Sequence, residues 1–238
     1  MNRYDIALNK INMCVRPDKD PLSAEVWNSL CDYTEFDVDD LLAMNDAVIF
    51  GGAVRDSIAK MEIHDVDILA LPESSKLVRA RLKDYGYKLL DGMSKIDING
   101  MYNGLKMINE PWTFAKGSRI IQVIRPVLPN EADRQLAEDL FKYLLSNVDI
   151  SACGVIYTGK VMESVENAIG DCKTRHFSVS KYARLLQTDR IDNRIAKLED
   201  RGWHRKPDIL ESGCNFPVNE KEIGGAPDID LDKVLENI

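Results

Sequence analysis

The sequence predicts an α/β fold in which helices flank a mixed sheet and a short helical neck follows. The main observation is the stretch VIFGGAVRDSIAKMEIHDVDILAL, residues 48–71, where two apolar runs enclose a glycine pair and a helical pattern. A second observation is the series of short strand-like runs between residues 87 and 128, separated by turn residues. Both patterns are typical of a sheet covered by helices.

Length and composition indicate a protein with a core of its own. Of the 238 residues, 45% are hydrophobic, which suits one large domain or one domain with a small appendage. No apolar run is long enough to span a membrane, and the N-terminus lacks the apolar core of a secretion signal. The five cysteines are widely spaced without a Cys-x-x-Cys pair, so we expect reduced thiols rather than disulfides or zinc. We therefore expect a cytoplasmic protein with no membrane partner.

The glycine pair Gly51–Gly52 predicts a phosphate site. Glycines let the backbone approach a ligand closely, and the helix that follows directs its first amides toward that ligand. Arg55 is a candidate cation for a triphosphate, and Asp56 a candidate cap or brace for the turn.

The pair Asp65 and Asp67 predicts a metal site on the next strand. Residues two apart in a strand point to the same face, about 6 to 7 Å apart along the backbone. Two carboxylates held in this way suit two Mg²⁺ ions about 3.5 to 4 Å apart, which promote in-line displacement at phosphorus. The alternative is a surface helix after a tight turn, with two aspartates that only end a strand.

These residues resemble a known signature. GGAVRD followed by DVD, with Asp67 sixteen residues after Gly51, is similar to the motif of class II nucleotidyltransferases of the DNA polymerase β superfamily, which include CCA-adding enzymes and bacterial poly(A) polymerases. The resemblance implies a polymerase β-type mixed sheet and Mg²⁺-dependent transfer of a nucleoside monophosphate from ATP or CTP to a hydroxyl. The acceptor it implies is an RNA 3′ end.

The chain departs from this family at the third metal ligand. Superfamily members often place a third carboxylate on a strand beside the paired aspartates, and in RIIQVIRP that position is Gln122. A neutral amide coordinates a cation weakly and cannot act as a base. Asp97 and Asp149 are the acidic candidates to replace it, and Arg125 is either a triphosphate ligand or a surface residue.

Asp149 matches the aspartate of a second family motif, which implies contact with the ribose. Asn147 and Val148 stand where that motif has two arginines, so the likeness is partial. A capping aspartate between a helix and a strand is the alternative interpretation.

The resemblance and the charge distribution divide the chain into four segments. Net charge is −8 overall, +6 for residues 173–206 and −6 for residues 207–238, so we expect any contact with RNA in the basic segment. The predicted segments are a helical lead-in at 1–45, a catalytic head at 46–163, a helical neck at 164–206 and an acidic tail at 207–238.

The predicted neck helix, residues 180–201, carries a row of cations. Such a row suits a triphosphate or an RNA backbone, although a solvated face is the common alternative. The Glu-Asp-x-x-Arg pattern with which similar CCA-adding enzymes read the base is absent from this stretch, and we expect no counterpart of the domains with which longer enzymes bind tRNA. The cations are Arg190, Arg194, Lys197 and Arg201.

Local signals predict further helices. Ser23 is predicted to cap a helix with Val26 and Leu30 on one face, Ser74 or Ser75 to begin another, and Asn130 to cap a third.

Two other functions remain open at this stage. A nucleotide- or RNA-binding protein without catalysis would explain Gln122, and a transferase acting on a protein or small-molecule hydroxyl would suit the short chain. The compact, divergent sequence also suits a virus or a mobile element.

Overall fold

The structure is a computed structural model that describes residues 19–42, 46–90, 108–126, 145, 148–179 and 188–206; of residues 108–110, 126 and 188–190 it describes only the backbone. The helices are α1 (Pro21–Thr34), α2 (Asp39–Leu42), α3 (Gly52–Ile58), α4 (Pro72–Asp84), α5 (Ala168–Thr174) and α6 (Thr188–Asp200). The strands are β1 (Ala47–Phe50), β2 (Asp65–Ala70), β3 (Lys88–Leu89), β4 (Ile108–Lys116), β5 (Arg119–Pro126), β6 (Val155–Tyr157), β7 (Met162–Ser164), β8 (His176–Phe177) and β9 (His204–Arg205).

Seven of the described strands form one mixed sheet in the order β3-β4-β5-β2-β1-β6-β7. The central pair β2 and β5 is parallel, and the other neighbours pair antiparallel. The register aligns Phe50 of β1 with Asp67 of β2, and Asp67 with Gln122 of β5. This helix-flanked mixed sheet confirms the predicted fold class.

The two faces of the central strands have different roles. Val66, Ile68, Ile121 and Val123 are at most 1% exposed and belong to the main core, together with apolar residues of α1, α3 and α4. Because side chains alternate along a strand, Asp67 and its neighbours in register point to the opposite face. Asp65 and Asp67 therefore lie on the face away from these helices.

Two of the predicted helix starts are wrong. Helix α1 begins at Pro21, and its cap is Asp20, whose carboxylate accepts the backbone N–H of Leu22 and of Ser23 at 3.0 Å. Helix α4 begins at Pro72 rather than at either serine, because proline fits the first helical turn, where its missing N–H costs nothing. In both cases a proline just before the serines marks the true start.

A helix is present in the described part of the predicted stretch 180–201. Helix α6 runs from Thr188 to Asp200, Gly202 follows with φ +80°, and Ile191, Ile195 and Leu198 are buried. No described helix combines the length and apolar character needed to cross a membrane. The predictions for Asp97, for Asn147, for the Asn130 helix, for residues 180–187 and for the acidic tail lie outside the described residues.

Candidate active site

A glycine corner lies at the end of β1. Gly51 has φ +70°, a backbone conformation that favours glycine. Its N–H donates to the carbonyl of Val155 at 3.2 Å, which ties the corner to β6. A side-chain carbon built at Gly51 would meet no atom within 4 Å beyond its chain neighbours. The corner is thus held by the sheet and opens onto free space.

The paired acids stand beside this corner. Asp65 and Asp67 project from the same face of β2, and the pairing of Asp67 with Phe50 places them next to Gly51. Both residues are partly buried. Oδ1 of Asp67 is buried and has no hydrogen-bond partner among the described residues. Such an unsatisfied carboxylate oxygen is costly unless a ligand completes it.

The carboxyl of Asp67 has an unusual electrostatic environment. Burial, and then the charge of Asp65, raise the pKa of the Asp67 carboxyl to about 7, while Arg194 and Lys197 of α6 lower it. Near neutral pH this carboxyl is therefore poised between its protonated and ionised forms. A bound cation would favour the ionised form.

Gln122 lies at the position where the family resemblance predicts a third carboxylate. It pairs in register with Asp67 across the parallel ladder between β2 and β5, so its amide points to the same face. Its side-chain oxygen is a neutral donor to a cation, and it cannot accept a proton at neutral pH.

The donor set fits Mg²⁺. The ion takes oxygen ligands and usually keeps several waters, binding through one or two carboxylates together with substrate phosphates. The two acids and the Gln122 amide supply such oxygens. Oδ1 of Asp67, which lacks a partner among the described residues, is open to a cation. Among the described residues no group of three or more His, Cys, Asp or Glu side chains is arranged to hold a metal. Two aspartates are thus the acidic contribution that the described residues make.

Arg55 and Asp56 form a closed pair rather than an open phosphate site. Nε of Arg55 donates to Oδ1 of Asp56 at 2.8 Å, and a terminal guanidinium nitrogen donates to Oδ2 at 2.9 Å. The other terminal nitrogen lies 3.2 Å from Sγ of Cys153, and both members of the pair are almost fully buried. Arg55 was predicted to bind a triphosphate, but its donors are already engaged.

The neck completes this pair. Arg201, just after α6, donates to Oδ2 of Asp56 at 3.0 Å and to the carbonyl of Glu62 at 2.9 Å. The ring of buried Trp203 lies 5.2 Å from the Arg55 guanidinium carbon, within cation–π range. The Arg-Asp part of the GGAVRD motif therefore joins the head to the neck, and the Asp56 carboxylate binds Arg55 and Arg201 rather than capping the glycine turn.

A second contact joins head and neck at Asp149. Its carboxylate forms an ion pair with Arg194 of α6, which also lies 3.7 Å from the Cys153 sulfur. The sequence placed Asp149 at the ribose and Arg194 at the nucleotide. The structure brings the two together, so a ribose hydroxyl would have to share Asp149 with the guanidinium.

A third contact fixes the start of the neck. The buried carboxylate of Asp171 accepts the Ser151 hydroxyl at 2.6 Å and pairs with Lys206. The backbone N–H of Ser178 donates to the same hydroxyl oxygen at 2.9 Å. Charged and polar contacts thus hold both ends of the neck to the head.

One predicted nucleotide ligand, Arg125, is not brought to the site. Arg125 lies three residues after Gln122 on β5, so its side chain points to the face opposite that of Asp67. On that face its guanidinium carbon is 5.7 Å from the Trp112 ring. The prediction that Arg125 faces the triphosphate is corrected by this geometry. The side chain of Arg190 lies outside the described residues.

Cys153 and Trp203 are the site neighbours that sequence reasoning missed. A single buried cysteine and a tryptophan after a helix are ordinary core residues by pattern. Their placement depends on contacts between residues about a hundred positions apart, which local periodicity does not reveal. The glycine before Trp203 was the one available signal, because it marks the turn that brings the tryptophan back to the head.

No protein-family model and no curated protein matches the chain. Among solved structures it resembles a CCA-adding enzyme in complex with CTP, at 16% identity and a TM-score of 0.51, over 83% of this chain and 43% of that one. It also resembles a Thermotoga maritima CCA-adding enzyme complexed with tRNA, at 15% identity and a TM-score of 0.47, over 83% and 42% of the two chains.

The chain therefore spans less than half the length of these solved enzymes. At this level of identity the likeness concerns the fold. A mixed sheet flanked by helices, with the paired acids on its central strand, agrees with it. We conclude that the chain has a nucleotidyltransferase-type fold.

Proposed function

We propose that this chain is a Mg²⁺-dependent nucleotidyltransferase that moves a nucleoside monophosphate from a nucleoside triphosphate to a hydroxyl at an RNA 3′ end. The observation that carries the proposal is the pair Asp65 and Asp67 beside the Gly51 corner, with one buried carboxylate oxygen left without a partner. A structural ion-pair network would have satisfied that oxygen.

Each group at the site has a separate role in the proposed reaction. Mg²⁺, held by Asp65 and Asp67, would supply positive charge to the phosphate oxygens that become more negative during transfer. The corner at Gly51–Gly52 leaves room for the phosphate groups to approach the backbone. The acceptor oxygen forms a bond to the α-phosphorus while the bond to the departing pyrophosphate breaks, and pyrophosphate leaves with that electron pair.

The proton of the acceptor hydroxyl needs a destination. Gln122 cannot take it, and Asp149 is paired with Arg194. Of the described acids on this face, Asp65 and Asp67 remain, and metal-bound carboxylates are poor bases. Solvent therefore accepts the proton in our proposal, and rate enhancement rests on positioning and charge neutralisation.

The RNA surface that we propose lies on the start of the neck. Lys173 and Arg175 are exposed on and just after α5, and exposed His204 lies beside His176 in the parallel pair of β8 and β9. Arg194 and Arg201 turn toward the head instead. The basic segment thus separates into an inward part for the site and an outward part for an RNA backbone.

The experiment is nucleotide transfer with each labelled NTP in turn, Mg²⁺ and bulk RNA. We expect label on RNA with wild-type protein and none with Asp65→Asn or Asp67→Asn, which excludes a contaminating enzyme. Label on the protein itself or on a small molecule would reject RNA as the acceptor.

A nucleotide-binding protein without catalysis is the second candidate, and the placement of Gln122 beside Asp67 favours it. It predicts Mg²⁺-dependent NTP binding that Asp67→Asn abolishes, with no product from any NTP. Gln122→Asp or Gln122→Glu would then restore a measurable rate, because it adds the third carboxylate in register with Asp67.

A further inference from the structure

Helix α6 turns a row of cations toward the head. Arg194, Lys197 and Arg201 are spaced three and four residues apart and so share one side of the helix. The first is paired with Asp149 and the last with Asp56, both in the head. These two ion pairs fix the orientation of this side of the neck.

Lys197 differs from the two arginines that flank it. Its side chain is exposed, and the described residues include no hydrogen-bond or ion-pair partner for its ammonium group. Lys197 lies on the helix between Arg194, which pairs with Asp149, and Arg201, which pairs with Asp56, so it is on the side of the neck that contacts the head. It is therefore a cation on this side of the neck whose charge no described residue compensates.

Arg55 is not available as the cation for the phosphate tail. It makes two hydrogen bonds to buried Asp56 and packs over Trp203. Moving its guanidinium to a phosphate would leave the Asp56 carboxylate with Arg201 alone in a buried setting, which is strongly unfavourable. A cation for the tail must therefore come from another element.

We propose that Lys197 binds the polyphosphate tail of the nucleoside triphosphate, and that Arg55 is a structural brace. This inference rests on the proposed function, since it assumes that a triphosphate lies between the Gly51 corner and the paired acids. A lysine suits the role because its ammonium is a compact charge on a flexible stem with three donors. The neck then contributes directly to the substrate site of the head.

The test is binding of inorganic tripolyphosphate with Mg²⁺, measured by titration calorimetry on the full chain. Lys197→Gln removes the charge, Lys197→Arg keeps it, and Lys83→Gln removes an exposed charge on α4 as a control. We expect about a tenfold loss of affinity for Lys197→Gln, from one charge-assisted contact. Lys197→Arg and Lys83→Gln should bind within about twofold of wild type.

The nucleotide series makes the test specific. Lys197→Gln should weaken binding of the nucleoside triphosphate but leave binding of the corresponding monophosphate unchanged, because only the first carries the tail. Equal tripolyphosphate affinity in wild type and Lys197→Gln overturns the inference, as does equal loss in the Lys83→Gln control.

The outcomes also separate this inference from the proposed function. If wild-type protein transfers labelled nucleotide but Lys197→Gln binds tripolyphosphate normally, the assignment of Lys197 fails and the transferase stands. If Lys197 governs tripolyphosphate binding but no NTP gives product, the transferase fails and the assignment stands.

Discussion

Two polar pairs, fewer than fifteen residues apart in the chain, differ in how completely their charges are satisfied. Arg55 and Asp56 share two hydrogen bonds and are joined by Arg201, Cys153 and Trp203. Asp65 and Asp67 repel each other, and Oδ1 of Asp67 lacks a partner among the described residues.

This difference assigns their roles. A satisfied buried network holds elements together, and here it joins the head to the neck. A pair of like charges with an open oxygen is unfavourable by itself and becomes favourable only with a cation. Both belong to one sequence motif, so the motif combines a pair that joins elements with a pair that we propose to be catalytic.

The largest effect is expected from breaking the open pair. Asp67→Asn should lower the transfer rate by at least about a thousandfold, because a charged metal ligand is replaced by a neutral amide. The rate is measured with labelled NTP at saturating Mg²⁺, and unchanged circular dichroism serves as the control for folding. Retention of more than a tenth of the wild-type rate would show that Asp67 is not a metal ligand in the reaction.

The next largest effect is expected from breaking the closed pair of Arg55 and Asp56, and it is an effect on stability. Asp56→Asn should lower the free energy of unfolding by about 3 kcal/mol, since it leaves two buried guanidinium groups short of their counter-charge. Denaturant unfolding measures this. The matched control is Lys76→Gln, which breaks the exposed pair with Glu73 and should cost at most about 0.5 kcal/mol. Similar losses in both variants would contradict the structural role of the closed pair.

The pH dependence of stability sharpens the comparison further. The pKa of Asp67 is about 7 in the folded protein and near 3.8 when unfolded, so the folded state holds an extra proton between these values. Its stability contribution is complete below about pH 4 and is lost as pH rises through 7, by about 2 kcal/mol after allowance for solvent screening.

Unfolding in the absence of divalent ions measures this contribution. Asp67→Asn should match wild type near pH 4 and exceed it at pH 8, and Mg²⁺ should remove the difference at pH 8. A wild-type stability that does not fall relative to Asp67→Asn over this range would contradict the burial of the unpaired carboxyl.

The smallest effect is expected from a contact at the start of β2. The hydroxyl of Tyr33 donates to the carbonyl of His64 at 2.6 Å and accepts the N–H of Ile120 at 2.8 Å, so it bridges β2 and β5 just before Asp65. Tyr33→Phe should cost about 1 kcal/mol in unfolding free energy. Tyr85→Phe is the control, because exposed Asp40 is the hydrogen-bond partner of its hydroxyl among the described residues. A larger loss in this control than in Tyr33→Phe would contradict the prediction.

The sequence was sufficient for the fold class and for the acids, because both depend on local patterns. Alternation places Asp65 and Asp67 on one face, and the spacing to Gly51 places them at one end of the sheet. The partners of Arg55 were not predictable, because Arg201 and Trp203 arrive from about 150 residues later. Likewise Arg125 was misplaced, because one step in register along β5 moves a side chain to the other face.

The central claim is that Asp65 and Asp67 hold divalent cations, and metal binding tests it without assuming any substrate. Mn²⁺ titration followed by electron paramagnetic resonance gives the number and affinity of the sites. We expect saturable binding in wild type that Mg²⁺ displaces, and its loss in the Asp65→Asn, Asp67→Asn double variant. Equal Mn²⁺ binding by wild type and by this variant would contradict the account.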